Sequence, residues 1–198
     1  MALKLEKMPA WAVLALLCLL PAAHAAGVAH VRVRREGALF LIGMRLRIDA
    51  PPPAVFRALQ DYSALPHYSH DVRTVHVVRT ATPGRVLLFM TLHACVLFFC
   101  KTMYQEQVMT ATADAHGGVL RSVLLPQASD FKKGDGRWTV APCPAHQAPT
   151  CVDVRIAMEP AFWVPPLIGP WLILRKMREQ AHLASVGLER IAQRDPPR

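Results

Sequence analysis

Acidic side chains are scarce in this chain: 14 Asp and Glu stand against 23 Lys and Arg, a formal net charge of +9 at pH 7. No carboxylate pair is spaced for acid–base work, no nucleophile stands beside a base, and no metal-ligand cluster is legible. Neither catalytic residues nor a metal or other cofactor is therefore expected. The cysteines lack the C-x-x-C spacing of zinc sites. The apolar run from Trp11 to Leu20 is about ten residues, half of what a spanning helix needs, which makes a retained membrane anchor the weaker reading. Internal repeats and low-complexity tracts are absent as well.

What stands at the start is Lys4 and Lys7, that short run, then Pro21 and Ala23-His24-Ala25, the pattern of a secretory signal peptide over residues 1–25. Cleavage after Ala25 removes Lys4, Lys7 and Glu6, leaves a charge of +8, and leaves about 170 residues, enough for one domain over 26–198. Periplasmic export is the expectation, and a basic exported chain does not meet nucleic acid. Its anionic partner is then a phospholipid surface or an acidic ligand, unless the charge only keeps the surface solvated.

Four cysteines remain beyond the leader, and an oxidising compartment makes them disulfide candidates. Of the three pairings open to them, Cys95–Cys100 and Cys143–Cys151 each close one hairpin. A straight strand would hold Cys95 and Cys100 about 16 Å apart, too far for a bond, so the segment must turn back. The expected tip is Val96, Leu97, Phe98 and Phe99, four apolar residues in a row. The second bridge would clip the proline-rich stretch from Pro142 to Pro149 at the other end of the strands.

Two alternating segments, Val28 to Arg34 and Leu39 to Ile48, predict a strand pair around Glu36-Gly37. Asp49, read as a capping residue, and three prolines precede a short helix from Ala54 to Leu59 that stops near Asp61, with a further helical turn from Ser63 to Tyr68. Six more strands are predicted from Val72 to Met158, separated by turns at Thr82-Pro83-Gly84, at His116-Gly117-Gly118, at Gly134-Asp135-Gly136 and in the proline-rich stretch. From Trp171 to Gln193 apolar residues recur at helical intervals, giving a helix whose face carries Ile173, Met177, Ala181, Ala184, Leu188 and Ile191.

Within this order, Ala54-Val55-Phe56, Asp61-Tyr62, Leu65-Pro66, Tyr68, Phe131-Lys132, Gly136-Arg137-Trp138 and Pro165-Pro166 carry a resemblance. The chain resembles the START-like, polyketide cyclase/dehydrase superfamily, most nearly its coenzyme Q-binding branch. The resemblance implies an α+β helix-grip fold: a curved antiparallel sheet around a long C-terminal helix, with two short helices after the first strands. It also implies an internal cavity for a hydrophobic small molecule such as a lipid, sterol or quinone. A binding protein without catalysis is the expected role. The alternative is a cyclase or aromatase with His93, Tyr104 or Glu106 as acid or base.

The candidate cavity residues are Tyr104, Glu106, Arg121 and Arg155, polar positions on central strands, with Trp138, Ile173 and Met177 as apolar wall. Strand direction gathers Phe131, Lys132, Lys133, Phe162 and Trp163 at the end that holds the tip of residues 96–99. Aromatics mixed with lysines suit a gate that touches an anionic bilayer; the alternative is that the same side chains simply plug the open end of the core.

Overall fold

The computed structural model describes residues 27–96, 99–144, 148–164 and 169–194, with the side chains of Val96 and Phe99 left out. The leader expected over residues 1–25, the tip residues Leu97 and Phe98, and Pro165-Pro166 lie outside the described residues.

Eight strands make one antiparallel sheet: β1 (Gly27–Glu36), β2 (Leu39–Ile48), β3 (Val72–Arg79), β4 (Arg85–Val96), β5 (Phe99–Asp114), β6 (Gly117–Leu124), β7 (Phe131–Pro142) and β8 (Thr150–Pro160). Their order across the sheet is β1-β2-β8-β7-β6-β5-β4-β3. Helix α1 (Pro52–Gln60) and the single turn α2 (Leu65–Tyr68) follow β2, and the 26-residue α3 (Gly169–Arg194) closes the chain. The expected α+β helix-grip architecture is the one observed.

Strand alternation decides which side chains meet. On β2, Phe40, Ile42, Met44, Leu46 and Ile48 are all buried, and the residues between them are not. Ile42, Met44, Leu46 and Ile48 join Leu88, Met109, Leu120, Val140, Val152 and Val154 on the concave face, where α1 contributes Val55 and Phe56. Helix α3 packs on β1, β2, α1 and α2. Its predicted apolar stripe, Ile173, Met177, Ala181, Ala184, Leu188 and Ile191, belongs to this core.

Two local expectations need correction. Asp49 does not cap α1, which has Pro51 at its N-cap position and no side-chain cap. The backbone of Asp49 is held by α3 instead: its N–H donates to Glu189 Oε2 at 2.8 Å and its carbonyl accepts from Gln193 Nε2 at 2.9 Å. The Gly134-Asp135-Gly136 segment is not a turn but the middle of β7. A Cβ on Gly134 would come within 2.9 Å of Leu124 Cβ, and one on Gly136 within 2.6 Å of the Trp138 ring, so close packing explains both glycines. The turn glycines proper are Gly37 and Gly84, with φ of 61° and 72°.

Candidate ligand-binding face

The concave face is sealed at one end and reachable at the other. At the sealed end Ile48, Val140, Val152 and Leu120 are buried under α1, and a Cβ on Gly118 would lie 2.7 Å from the Phe56 ring. Further along the same face, Met90 and Leu92 on β4, Met103, Gln105 and Gln107 on β5, and Trp138, Ile156 and Met158 are only half-buried. Helix α3 shows the same gradient. Ala181, Ser185, Leu188 and Ala192 in its second half are buried, while Ile173, Leu174 and Met177 in its first half are not. The apolar surface left reachable lies between β4–β5 and the first half of α3.

This end of the sheet carries the Cys95–Cys100 hairpin, whose two cysteines pair across β4 and β5 and are bonded, with Cα atoms 4.0 Å apart. The hairpin is tighter than the four-residue tip expected, because Val96 and Phe99 still pair. The Cys143–Cys151 bridge is formed as well and sits at the opposite end, between β7 and β8. His93 stands beside the first pair: its Nδ1 lies 2.9 Å from Thr102 Oγ1 and its Nε2 3.7 Å from Cys95 Sγ. The ligand-type atoms of His93, Cys95 and Cys100 lie within 4.8 Å of one another, a proximity the sequence spacing hid. Sulfurs bonded to each other offer no thiolate to a metal.

Asp130 stitches the rim together. Its carboxylate accepts from the Tyr104 N–H at 2.7 Å, its N–H donates to the Tyr104 carbonyl at 2.9 Å, and its carbonyl accepts from the Ala161 N–H at 2.9 Å. Phe131 and Phe162 therefore meet edge to face, 6.1 Å between centroids. Lys101, inward-facing on β5, reaches across to place its Nζ 4.7 Å from the Phe162 centroid. Trp163 is 74% exposed. Lys132 lies 3.8 Å from Glu159 beside a hollow of about 330 Å³ that Phe40, Phe162 and Trp163 also line. Lys133 pairs with Glu159 across β7 and β8 and is exposed.

The polar cavity candidates fall on the other side of the sheet. Tyr104 is 59% exposed, Arg121 and Arg155 are exposed, and Glu106 shares the face of Tyr104. All four project from the convex face, because the inward set on β5 is Met103, Gln105, Gln107 and Met109. His93 is on the convex face too, two positions from Cys95 and opposite Thr102. Trp138, Ile173 and Met177 lie on the inner side, packed against the core. The inward polar groups the sequence reading passed over are Lys101, Gln105, Gln107 and the buried Ser122 and Thr150. Among the described residues, no His, Asp or Glu projects inward from β4 to β8.

A curved sheet gripping one long helix, with a rim at the free end of an apolar inner face, defines a helix-grip protein. Residues 48–182 match the family of polyketide cyclase/dehydrase and lipid transport proteins, and the chain belongs to it. Similar solved structures include a STAR-related lipid transfer protein from Xanthomonas axonopodis, 15% identical, TM-score 0.63, with 85% of this chain and 98% of that one covered. The Zhui aromatase/cyclase of a Streptomyces species is 12% identical at TM-score 0.59, over 79% and 94%. Human STARD10 is 9% identical at TM-score 0.55, over 96% and 81%. At these identities the likeness is one of fold. No curated protein sequence matches the chain.

Proposed function

We propose that this chain is an exported, periplasmic binding protein that holds a hydrophobic molecule, a lipid, sterol or quinone, on its inner face and exchanges it at the Cys95–Cys100 end. The family and its neighbours divide between lipid transport and cyclase chemistry. The observation that favours binding is the composition of the inner face. From β4 to β8 the described residues give it mainly Met, Leu, Trp, Ile and Val, with two glutamines, one serine, one threonine and Lys101 as its polar groups, and no acid–base pair. His93, Tyr104 and Glu106, the groups a cyclase reading needs, point the other way. Burial of ligand surface at about 25 cal/mol per Å² would supply affinity, with Gln105, Gln107 and Lys101 orienting a polar head.

Both disulfides suit an oxidising compartment, and the basic and apolar leader supplies the route there. Exposed Trp163 with Lys132 and Lys133 would meet an anionic bilayer. The test is native mass spectrometry with organic extraction on protein purified from the periplasm of its host. A stoichiometric lipid, sterol or quinone is the expected result. Protein that stays empty after incubation with lipid extracts would overturn the reading.

A further inference from the structure

The sheet register sets out a feature on the convex face that no stretch of sequence shows. Across neighbouring strands the directly opposed residues run Arg32 on β1, Gly43 on β2, Arg155 on β8, Arg137 on β7, Arg121 on β6, Thr110 on β5 and Arg85 on β4. Five arginines thus stand in single file over seven strands, a line of about 29 Å at the usual strand spacing. All five are exposed. Among the described residues none of them forms an ion pair, although Arg34 and Arg45 nearby do, with Glu36 and Asp153. Arg137 Nε donates to Thr139 Oγ1, and that is a neutral partner.

Such an arrangement works against folding. Like charges directly opposite each other on adjacent strands are destabilising, and Arg121, Arg137 and Arg155 form three consecutive strands of them. An anionic ligand laid along the row would relieve that repulsion. The row also has a floor. Gly43 separates Arg32 from Arg155, and a Cβ added there would meet nothing within 4 Å, so an anionic group can settle on bare backbone between two guanidinia. A groove of about 780 Å³ runs along this part of the face, lined by Arg32, Arg121, Arg137 and Arg155, with Asp135 as its one carboxylate.

We infer that the arginine row is a binding groove for a linear acidic glycan, its carboxylate or sulfate groups taken one after another by guanidinia spaced at strand intervals. A flat bilayer suits it less, because the row is one residue wide and lies across the convex face. The adjoining row argues against nucleic acid. It runs Arg34, Leu41, Ala157, Asp135, Val123, Val108, Leu87 and Val78, without an aromatic on which bases could stack. On the exported reading proposed above, which the two disulfides suit, nucleic acid is not met either. Bidentate guanidinium contacts explain arginine in preference to lysine at all five positions.

The experiment measures binding of a labelled oligogalacturonate to the full chain by fluorescence anisotropy over a range of salt concentrations, beside labelled poly(dT) and phosphatidylglycerol vesicles. The row variant is Arg121→Gln/Arg137→Gln/Arg155→Gln. The control, Arg79→Gln/Arg178→Gln/Arg190→Gln, removes the same charge from exposed positions elsewhere. The row variant should weaken oligogalacturonate binding at least about tenfold and lower the log–log salt slope by about two, with an unchanged or higher Tm, while the control changes little. Equal weakening by both variants would reduce the row to general charge and overturn the inference. Tighter binding of poly(dT), or binding to vesicles alone, would overturn it as well.

Discussion

Lys176 Nζ lies 2.9 Å from Asp71 Oδ1, and this one contact pins the first half of α3 to the turn that enters β3. Only 14% of the Lys176 side chain and 16% of the Asp71 side chain are exposed. Gln180 Nε2 donates to the other Asp71 oxygen at 3.0 Å, and Ser69 Oγ donates to Gln180 Oε1 at 2.7 Å. Burial alone would lower the Lys176 pKa; hydrogen bonds and charge from Asp71 and Glu179 outweigh it and hold the ammonium above its ordinary value. The helix needs such a tether where its apolar stripe is least buried.

Removing one partner should therefore cost more than removing both. Lys176→Met leaves the Asp71 carboxylate mostly buried without its cation and should destabilise by about 2–3 kcal/mol. Lys176→Met/Asp71→Leu should recover much of that. Urea denaturation of the two variants checks it, and equal losses would show that the pair is not coupled.

Gly187 should not tolerate alanine. A Cβ there would fall on Tyr68 Cβ, which is fixed to backbone and cannot swing aside, so α2 and α3 would have to part. Overpacking should outweigh the better helix propensity of alanine and leave Gly187→Ala about 1–2 kcal/mol less stable, read as a lower Tm.

Alkaline pH should weaken the fold through Tyr62. Burial pushes its phenol up to about 12 from an ordinary value of 10.0. The unfolded chain then loses this proton first as pH rises, so stability is complete below about pH 10 and falls between about 10 and 12. Tyr62→Phe should show a shallower alkaline decline in unfolding free energy than the parent. Tyr68 is pushed up further, by burial first and by Asp61 and Tyr62 after it, and tyrosinate absorbance should register it last.

The two bridges should contribute similar, modest stability, because each closes a short loop, over 5 and 8 positions. Cys143→Ala/Cys151→Ala should cost about 2–3 kcal/mol in the chain-entropy picture, and reductant should act on the parent in the same direction. Thermal melts with and without reductant test this.

Inner and outer faces should respond oppositely to substitution. Gln107→Leu or Lys101→Ala should change retention of a fluorescent lipid analogue, whereas Tyr104→Phe and Glu106→Gln on the convex face should leave it within about twofold. Matching effects from the two sets would count against an inner-face site.

Much of the architecture was legible because it rests on local signals. The stripe on α3 recurs at helical spacing, and every residue named for it is in the core or packs against it. Each neighbouring pair of cysteines can close one hairpin, and both bonds are formed. Alternation on β5 was equally plain, separating Tyr104 and Glu106 from Gln105 and Gln107.

Alternation divides a strand into two sets but gives neither set a direction. Only packing against α1 and α3 made the glutamine side the inner one, so the polar cavity residues chosen from sequence fell on the outside. The glycines of β7 read as a turn because their reason, the Trp138 ring and Leu124 Cβ, comes from the tertiary structure. The arginine row depends on it entirely: Arg32, Arg85, Arg121, Arg137 and Arg155 lie far apart along the chain, and the registers of six strand pairings bring them into line. Periodicity along one segment determined the elements; which faces look inward, and which distant residues stand opposite each other, was decided by how the sheet closes on its helix.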